Sequence, residues 1–278
     1  MTVGIIGLGL IGGSMALKLS QKGYTVIGCA RSDATLQSAL ARGAVREAYA
    51  DPRSVFENSD LVVVALYPDL IVPMIRDNAA YFKDGAVLTE VCGVKFGLTG
   101  RILDVLPPHV DYVGCHPMAG KEVEGFVNAE SSLFENTGFI ITPHANSKPE
   151  SVELLRRIAS DIGATKLAVT DPHTHDGIIA YTSDLMHVAA SALCLDFHRD
   201  MTLAFAAGAF RDCTRIANIN PEMWSELLLS NKDHTLTEID RLMTNLDKFR
   251  SALKDGDKDR LFDLFAAVKA NKEEMQSR

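Results

Sequence analysis

The sequence predicts an α/β protein with a doubly wound sheet in residues 1–171 and an all-helical domain in residues 172–278. Three observations predict this class. Short β-branched or apolar runs alternate with helical stretches in the first range, which is the spacing of β-α-β units. A glycine-rich turn joins the first strand to the first helix. In the second range apolar residues recur at i, i+3 and i+4, which is typical of amphipathic helices.

The predicted strands are short apolar runs bounded by Gly, Pro, Asp or Asn, as strands inside a sheet usually are. Stretches with helical periodicity lie between several of them, and this alternation predicts parallel strands joined by helical crossovers. The strands are expected at residues 3–6, 25–29, 61–66, 86–91, 111–115, 139–142 and 165–171. The helices between them are expected at residues 12–22, 34–42, 70–82 and 149–162.

The helical domain begins with a long apolar run that is rich in small residues, HDGIIAYTSDLMHVAASALCLDFH at 175–198. Such a run suits a helix that is buried on most sides, and we expect it in the core of a homodimer. Three amphipathic helices follow, and Gly256 is a stop signal between the last two. The sequence predicts no appended regulatory domain.

Composition and charge disfavour several classes of function. The net charge of −8 argues against nucleic acid as a partner, because nucleic acid binding rests on basic patches. The longest apolar runs, such as 61–67, are far shorter than the ~20 residues of a membrane-spanning helix, so no membrane partner is expected. The chain starts with a strand-like run and without a basic signal region, which predicts a cytoplasmic protein. Five cysteines without a C-x-x-C pair predict reduced thiols and no metal site.

The turn after the first strand carries the pattern G-x-G-x-x-G at Gly7, Gly9 and Gly12. In dinucleotide-binding folds the first glycine permits the tight turn, the second lets the backbone approach a pyrophosphate, and the third lets helix and strand pack closely. The backbone N–H groups at the start of the helix, here those of Leu10 and Ile11, then bind the anion. The motif therefore predicts a dinucleotide site of Rossmann type, with a simple tight turn as the alternative.

The end of the second strand indicates which dinucleotide is bound. NAD enzymes usually place Asp or Glu there to hold the ribose 2′-hydroxyl, whereas this chain has Ala30. Arg31 and Ser32 follow and suit a 2′-phosphate, so NADP is favoured and NAD is the alternative. Asp33 is either a displaced ribose-binding acid or, as we prefer, the N-cap of the helix at 34–42.

His116 stands in the stretch GCHPMAGKEVEGF, directly after the strand predicted at 111–115. Open α/β sheets bind ligands at the carboxyl ends of their strands, so this position favours a catalytic role. Pro117 fixes the backbone after the histidine, and Gly120 lets the loop turn sharply. Taken alone, the stretch is equally compatible with a polar residue in a turn.

Four motifs together resemble the prephenate and arogenate dehydrogenases of tyrosine biosynthesis. They are GLGLIGGSMAL, HPMAGKE, HDGIIAYTSDLMH and GAFRDCTRIA, which occur in the family's order, and the resemblance runs from residue 2 to about residue 250. The resemblance implies a Rossmann domain followed by a helical domain that forms a dimer. It also implies an oxidative decarboxylation in which hydride passes from a cyclohexadienol ring to NAD(P). The small anionic substrate would be prephenate or arogenate.

The resemblance implies roles for individual residues as well. His116 matches the family's general base, which must be neutral to take the proton of the substrate 4-hydroxyl. Arg215 matches the arginine that binds a substrate carboxylate through bidentate pairing, with a surface salt bridge as the alternative. Glu122 and His187 also match residues of the family's substrate pocket, and Arg211 is a candidate second cation. Each of the three has an ordinary structural role as its alternative.

Two positions depart from the family's pattern. Many relatives have a serine that hydrogen-bonds the catalytic histidine, in D-V-x-S-V-K, where this chain has Gly93; Lys95 is retained. Many relatives also have a histidine at the position of Asp184. The Asp184 carboxylate would favour the ammonium of arogenate over the keto group of prephenate, unless it pairs locally. The sequence therefore leaves open which substrate is preferred and what orients His116.

Two other functions remain as alternatives. The first motif also resembles the β-hydroxyacid dehydrogenases, but their S-G-G loop and their catalytic lysine on a Gly-rich helix are not found in this sequence. A non-catalytic, dinucleotide-sensing protein would need neither His116 nor Arg215.

His175 and Asp176 match the family motif that opens the long helix. His173 and His175 have no third ligand of suitable spacing, so no metal is predicted.

Overall fold

The computed structural model describes residues 1–121, 123–195 and 205–277. The chain divides into two compact units, Met1–Asn231 and Lys232–Arg278. The first unit contains the whole sheet, and the described part of the second unit consists of two long helices.

The described part of the first unit holds eight strands in one sheet. In chain order they are β1 (Thr2–Ile6), β2 (Thr25–Cys29), β3 (Glu47–Tyr49), β4 (Leu61–Val64), β5 (Val87–Glu90), β6 (Asp111–Met118), β7 (Gly138–Pro143) and β8 (Lys166–Val169). Their order in the sheet is β3-β2-β1-β4-β5-β6-β7-β8. The strand order reverses between β1 and β4, and such a switch point is where doubly wound sheets bind their ligands.

Helices connect most of the strands, and further helices follow the sheet in the described residues. The crossover helices are α1 (Leu10–Gln21), α2 (Asp33–Ala41), α3 (Arg53–Asn58), α4 (Pro68–Asp77), α5 (Phe96–Leu103) and α6 (Pro149–Ile162). The helices after the sheet are α7 (Pro172–Ile179), α8 (Leu185–Leu195), α9 (Gly208–Thr214), α10 (Pro221–Ser230), α11 (Lys232–Asp255) and α12 (Lys258–Ser277). A π-helical turn, Ala180–Asp184, joins α7 to α8 without a break. Gly256, at φ 65°, ends α11 as predicted.

Side chains of the central strands alternate between two hydrophobic cores, one on each face of the sheet. Leu61 and Val63 on β4 belong to the core that also holds residues of α1 and α6. Val62 and Val64 belong to the core that holds residues of α4 and α5. Successive side chains of a strand face opposite sides, so this continuous apolar run marks a strand covered by helices on both faces. The doubly wound architecture is confirmed.

The predicted parallel order fails at one pair of neighbouring strands. β6 and β7 are antiparallel, with Val113 opposite Pro143 and Met118 opposite Gly138. In its described residues the connection between them contains only a 3₁₀ turn, Phe126–Asn128. A parallel return needs a long crossover, usually a helix, which α6 supplies between β7 and β8.

Three short elements gave no clear signal in the sequence. β3 has three residues, α3 has six and α5 has eight, which is too few for strand alternation or helical periodicity to stand out. The helix predicted at 70–82 is α4, which begins at Pro68, ends at Asp77 and is followed by a 3₁₀ turn, Ala79–Tyr81.

The long apolar helix is only partly covered within one chain. Pro172–Leu195 forms 24 consecutive helical residues of mean hydropathy 1.4, and 28% of its most apolar stretch is buried. Its length and composition alone would let it cross a membrane, but the core helices of soluble proteins pass the same test. The predicted burial on most sides is therefore not achieved by one chain. Residues 196–198 of the predicted run lie outside the described residues.

The second unit is a helical pair. α11 and α12 pack against each other, and the rings of Phe249 and Phe265 lie 5.3 Å apart between their centroids. Apolar side chains of both helices remain exposed, among them Leu253 and Phe262.

Candidate active site

The glycine turn has the geometry that a dinucleotide needs. Gly7 adopts φ 98°, a backbone conformation that favours glycine. A Cβ at Gly12 would lie 2.1 Å from the Gly7 carbonyl oxygen, so a larger residue would push α1 away from the strand. Gly9 precedes α1, and nothing lies within 4 Å of a Cβ built there, which leaves room for a pyrophosphate. Leu10 and Ile11 begin α1, where backbone N–H groups have no partner within the helix. These residues fit a bound dinucleotide.

A fourth glycine, Gly13, contacts the loop that continues after the HPMAGKE motif, at Phe126. A Cβ on Gly13 would lie 2.5 Å from the Phe126 ring. The guanidinium of Arg42 lies 5.0 Å from the centre of the same ring and donates to the carbonyl oxygens of Phe126 and Ala129 at 3.0 and 2.6 Å. The loop is thus anchored on the helix that starts the dinucleotide site. Sequence reasoning missed this contact, for which the doubled glycine in LIGGS is the available signal.

The end of β2 presents a cation beside the capped start of α2. Arg31 is exposed and, within the described ranges, forms no hydrogen bond or ion pair. The Ser32 Oγ accepts the Thr35 N–H at 3.5 Å and is the N-cap of α2. Asp33 is the first helical residue, so its predicted role as N-cap is wrong. A cap needs an extended backbone, which Ser32 has at φ −99° and ψ 123°.

His116 lies within β6 rather than in the loop predicted after it. β6 pairs with β5 only as far as Tyr112, but its pairing with β7 continues to Met118, with His116 opposite Ile140. The antiparallel partner therefore extends the strand past its predicted end. Because β6 is parallel to β5, the extension carries His116 beyond the carboxyl ends of the parallel strands, which is the ligand-binding edge of such sheets.

A hydrogen-bonded chain of three side chains ends on His116. The Nδ1 atom of His116 lies 3.0 Å from Nε2 of His175, and Nδ1 of His175 lies 2.7 Å from Oδ1 of Asp176. The Asp176 carboxylate also accepts the backbone N–H groups of Lys95 and Phe96 at 2.9 and 2.8 Å, where α5 begins. His175 and Asp176 are buried on α7, and His116 is partly exposed. Their sequence motif gave no sign of this contact.

The surroundings of His116 hold its pKa well below the usual value of a histidine. Burial of the ring is the main cause, the positive charge of Lys95 lowers the pKa further, and a positive charge on the neighbouring His175 would do the same. His116 is therefore neutral near pH 7, as a general base must be.

His173 is exposed, and its ring packs edge-on against Phe96. In the described part of the chain, no group of three or more His, Cys, Asp or Glu residues is arranged to hold a metal.

Lys95 belongs to a buried ion pair next to this chain. Its Nζ lies 2.7 and 2.8 Å from the two carboxylate oxygens of Glu90 and donates to the Cys92 carbonyl at 2.7 Å. Tyr112 donates its hydroxyl to Glu90 at 3.0 Å. The Lys95 and Glu90 side chains are both 0% exposed. The pair fixes the segment between β5 and α5, whose backbone binds Asp176.

Gly93 faces the other nitrogen of the His116 ring. A Cβ at this residue would lie 3.8 Å from Nε2 of His116 and 3.5 Å from the Leu227 side chain. These are ordinary contact distances, so a small side chain would fit. With glycine here, residue 93 places no side-chain atom next to Nε2.

The helical residues of the expected substrate pocket lie on α8 and around α9. The His187 ring stacks on Trp224 of α10, with 3.7 Å between the centroids. α8 packs against α9, which carries Arg211, and against the 3₁₀ turn Arg215–Ala217. Arg211 and the first residue of that turn are exposed. Glu122 lies outside the described residues.

Asp184 is buried at the end of the π-helical turn. Its Oδ2 accepts the side-chain amide of Asn231 at 2.8 Å, and the same amide donates to the Asp176 backbone carbonyl at 2.9 Å. Asn231 thus links Asp184 to the segment that carries His175. The Asp184 carboxylate has a partner inside the protein, which agrees with the alternative that Asp184 pairs locally.

Two family models together match most of the chain. The model "Prephenate dehydrogenase, nucleotide-binding domain" matches residues 15–168, and "Prephenate dehydrogenase, dimerization domain" matches residues 171–267. The chain belongs to the prephenate dehydrogenase family. In this member of the prephenate dehydrogenase family the two matches adjoin at residues 168–171, while the compact units of the fold divide after Asn231.

Individual prephenate and arogenate dehydrogenases agree with this assignment. The prephenate dehydrogenase of Bacillus subtilis is 33% identical over 276 residues, covering 96% of this chain and 74% of the relative. The arogenate dehydrogenase of Synechocystis has a TM-score of 0.85 at 26% identity and covers 99% of this chain and 100% of its own. The prephenate dehydrogenase of Aquifex aeolicus, solved with hydroxyphenyl propionate and NAD⁺, has a TM-score of 0.89 at 24% identity, covering 99% and 98%.

Membership of the prephenate dehydrogenase family establishes the class of reaction. The chain is an oxidoreductase that catalyses the NAD(P)-linked oxidative decarboxylation of tyrosine biosynthesis. Its Rossmann-type domain is the family's nucleotide-binding domain. The resemblance inferred from the four motifs is confirmed, and it replaces the β-hydroxyacid dehydrogenase alternative.

Proposed function

We propose that His116 is the general base of this oxidative decarboxylation and that its Nε2 atom takes the proton of the substrate 4-hydroxyl. One observation carries the proposal: a histidine with a lowered pKa lies beyond the carboxyl edge of a dinucleotide-binding sheet. A neutral imidazole at that edge accepts a proton at pH 7. Gly93, which has no side chain, lies on the Nε2 side of the ring, where a substrate hydroxyl would approach.

The reaction breaks three bonds of the substrate. His116 removes the hydroxyl proton, and the C4–H bond breaks with its electron pair leaving as hydride. The bond to the ring carboxylate then breaks to release CO₂, and its electron pair completes the aromatic ring. A dinucleotide held at the turn of Gly7, Gly9 and Gly12 would supply the hydride acceptor. His116 returns its proton to the phenolate, so the protein is unchanged at the end.

We further propose that Arg215 binds a substrate carboxylate. Its side chain is exposed on a turn that packs against α8, and its planar guanidinium suits bidentate pairing. His187 is proposed as a second pocket residue because stacking on Trp224 holds its ring in place. Arg211 and Glu122 are proposed for the same pocket on their match to the family motifs.

We propose that Asp184 stabilises its surroundings and does not select the substrate. The wild type is expected to oxidise prephenate, arogenate or both, detected by the absorbance of the reduced nicotinamide. Because Asp184 is bound by Asn231, Asp184→Asn and Asp184→His should change the ratio of kcat/KM for the two substrates by less than about tenfold, or ~1.4 kcal/mol. A larger loss of arogenate preference would show that the Asp184 carboxylate binds the substrate ammonium.

Absence of turnover on both substrates in the wild type would contradict the assigned reaction.

We propose NADP as the preferred cofactor, with NAD as the alternative. Ala30 offers no carboxylate to a ribose 2′-hydroxyl, and Arg31 is exposed without a partner among the described residues. Ser32 follows with a hydroxyl that accepts a bond from α2, which leaves its proton for a phosphate oxygen.

Arg31→Ala is expected to raise KM for NADP by about 10- to 100-fold, because a hydrogen bond to a charged group contributes ~1.5–3 kcal/mol. KM for NAD should hardly change, since NAD lacks the 2′-phosphate. Steady-state kinetics with both cofactors measures the two values. Arg76→Ala is the matched control, because Arg76 is exposed on α4 and pairs with Asp77. A wild type that prefers NAD, or an equal effect on both cofactors, would contradict the proposal.

We propose that the protein is a cytoplasmic homodimer assembled through residues 172–278, with its domain boundary at residues 171–172. The matching model of this region describes a dimerisation domain. The long apolar helix supports the proposal, because Leu193 and Leu195 are 58% and 83% exposed in one chain. A small anionic substrate, rather than nucleic acid or a membrane, is the expected partner of the site.

A further inference from the structure

The hydrogen bonds of Asp176 fix which atoms donate in the chain that ends on His116. Oδ1 of Asp176 accepts the Lys95 N–H at 2.9 Å, and Oδ2 accepts the Phe96 N–H at 2.8 Å. Both oxygens are therefore acceptors, and the start of α5 favours a negative charge at this point. The Nδ1 atom of His175, 2.7 Å from Oδ1, must then carry the proton of their hydrogen bond.

The protonation of His175 fixes that of His116 in turn. A neutral imidazole with a proton on Nδ1 has an acceptor lone pair on Nε2. This Nε2 lies 3.0 Å from Nδ1 of His116, so His116 is the donor when both rings are neutral. The remaining nitrogen of His116, Nε2, then has its lone pair free, on the side of the ring that faces Gly93.

We propose that His175 and Asp176 are positioning residues that hold His116 in its Nδ1–H tautomer and aim Nε2 at the substrate hydroxyl. The proposal rests on the function proposed for His116. Gly93 has no side chain that could orient the ring from the Nε2 side, whereas the contact at Nδ1 can do so.

The rest of the protein holds the two positioning residues firmly. His175 and Asp176 are 1% and 2% exposed. The carboxylate of Asp176 binds two backbone N–H groups at the start of α5, and Asn231 donates to its backbone carbonyl at 2.9 Å. A rotation of the His175 ring would break its bonds to Asp176 and His116 together. The tautomer of His116 is thus determined before any substrate binds.

Nitrogen NMR on the cofactor-free wild type tests the tautomer directly. The protein is labelled with ¹⁵N in histidine only, and His116 is assigned by the signals that disappear in His116→Asn. At neutral pH we expect Nδ1 of His116 to be protonated and Nε2 to be unprotonated. A proton on Nε2 would overturn the proposal. This measurement needs no variant of His175 to fold.

Three variants test the consequence for turnover. His175→Phe keeps a ring but removes both nitrogens, and it is expected to lower kcat by about 10- to 100-fold, a range taken from the outer-shell partners of metal-binding histidines. KM should change little, and His116 should lose its fixed Nδ1–H tautomer. His175→Gln keeps an acceptor near the position of Nε2 and should restore most of kcat. His173→Phe is the matched control, because His173 is exposed on the same helix, and it should behave as wild type.

The outcomes separate this proposal from the one on which it rests. If His116→Asn keeps its turnover, His116 is not the base and the positioning role falls with it. If His116→Asn is inactive but His175→Phe changes neither kcat nor the tautomer, the positioning role alone is overturned. A loss of kcat in His175→Phe that His175→Gln does not restore, with the tautomer unchanged, also overturns it.

Discussion

His116→Asn is expected to lower kcat by about 10²- to 10⁴-fold, the usual contribution of general base catalysis. Asparagine places a polar group of similar size on β6, but it has no atom that takes up a proton near pH 7. Binding of the dinucleotide should be unchanged, because the turn at Gly7, Gly9 and Gly12 belongs to β1 and α1. Steady-state kinetics and a fluorescence titration with the dinucleotide measure the two effects separately.

The same assignment predicts a pH profile. The base must be neutral, and the pKa of His116 is lowered, so the neutral form persists as the pH falls through about 6.5, the ordinary pKa of histidine. kcat/KM should therefore stay level down to below that pH and then decrease. His109→Asn serves as the control, because His109 is partly exposed and contacts the Phe82 carbonyl instead. Full turnover in His116→Asn, or a wild-type decrease centred at about 6.5 or above, would remove His116 from the role of base.

Lys95→Met is expected to lower the free energy of unfolding by about 3–5 kcal/mol, the usual effect of removing one partner of a buried ion pair. Methionine has a similar length and fills the space, but it leaves the Glu90 carboxylate without its cation. The Tyr112 hydroxyl and the Cys92 N–H still donate to Glu90, so the carboxylate keeps hydrogen bonds but loses the opposite charge. Denaturant unfolding of the full chain measures the change.

Lys83→Met is the matched control for this prediction. Lys83 pairs with Asp60, and the two side chains are 49% and 38% exposed. Exposed pairs usually contribute ~0–1 kcal/mol, so this variant should be close to wild type. Adding Glu90→Gln to Lys95→Met should recover part of the lost stability, because it removes the uncompensated charge. If Lys95→Met costs no more than Lys83→Met, the buried pair does not stabilise the fold.

The glycine turn was predictable because its constraints are local. The positive φ of Gly7 and the contact of Gly12 with the Gly7 carbonyl both arise within six residues of the chain. The run at 61–64 was predictable for a similar reason, since continuous apolar residues are what a strand covered on both faces requires. The cap of α2 was not, because Ser32 and Asp33 are both good caps and only the backbone angles distinguish them.

The surroundings of His116 could not be predicted from local pattern. Its hydrogen bond to His175 joins residues 59 apart in sequence, and no periodicity connects them. The extension of β6 depends on pairing with β7, whose antiparallel direction the strand pattern does not reveal. The sequence did draw attention to Gly93, and in the structure a Cβ at this residue would lie 3.8 Å from Nε2 of His116. The residues proposed to orient His116 in place of a side chain at Gly93 are His175 and Asp176 on α7. Both belong to a motif that the sequence analysis names, but their contacts with His116 are visible only in the folded structure.

The π-helical turn Ala180–Asp184 sets the rotational register of the long helix. A π turn holds more residues than an α turn, so the residues after it are rotated by roughly 100° per extra residue relative to a regular helix. Deleting one residue from the turn would swing His187 away from Trp224, while His175 and Asp176 would stay in place. The number of residues in this turn, more than the identity of any one of them, determines the direction in which the side chains of α8 point relative to those of α7. Insertions and deletions there are therefore more disruptive than substitutions.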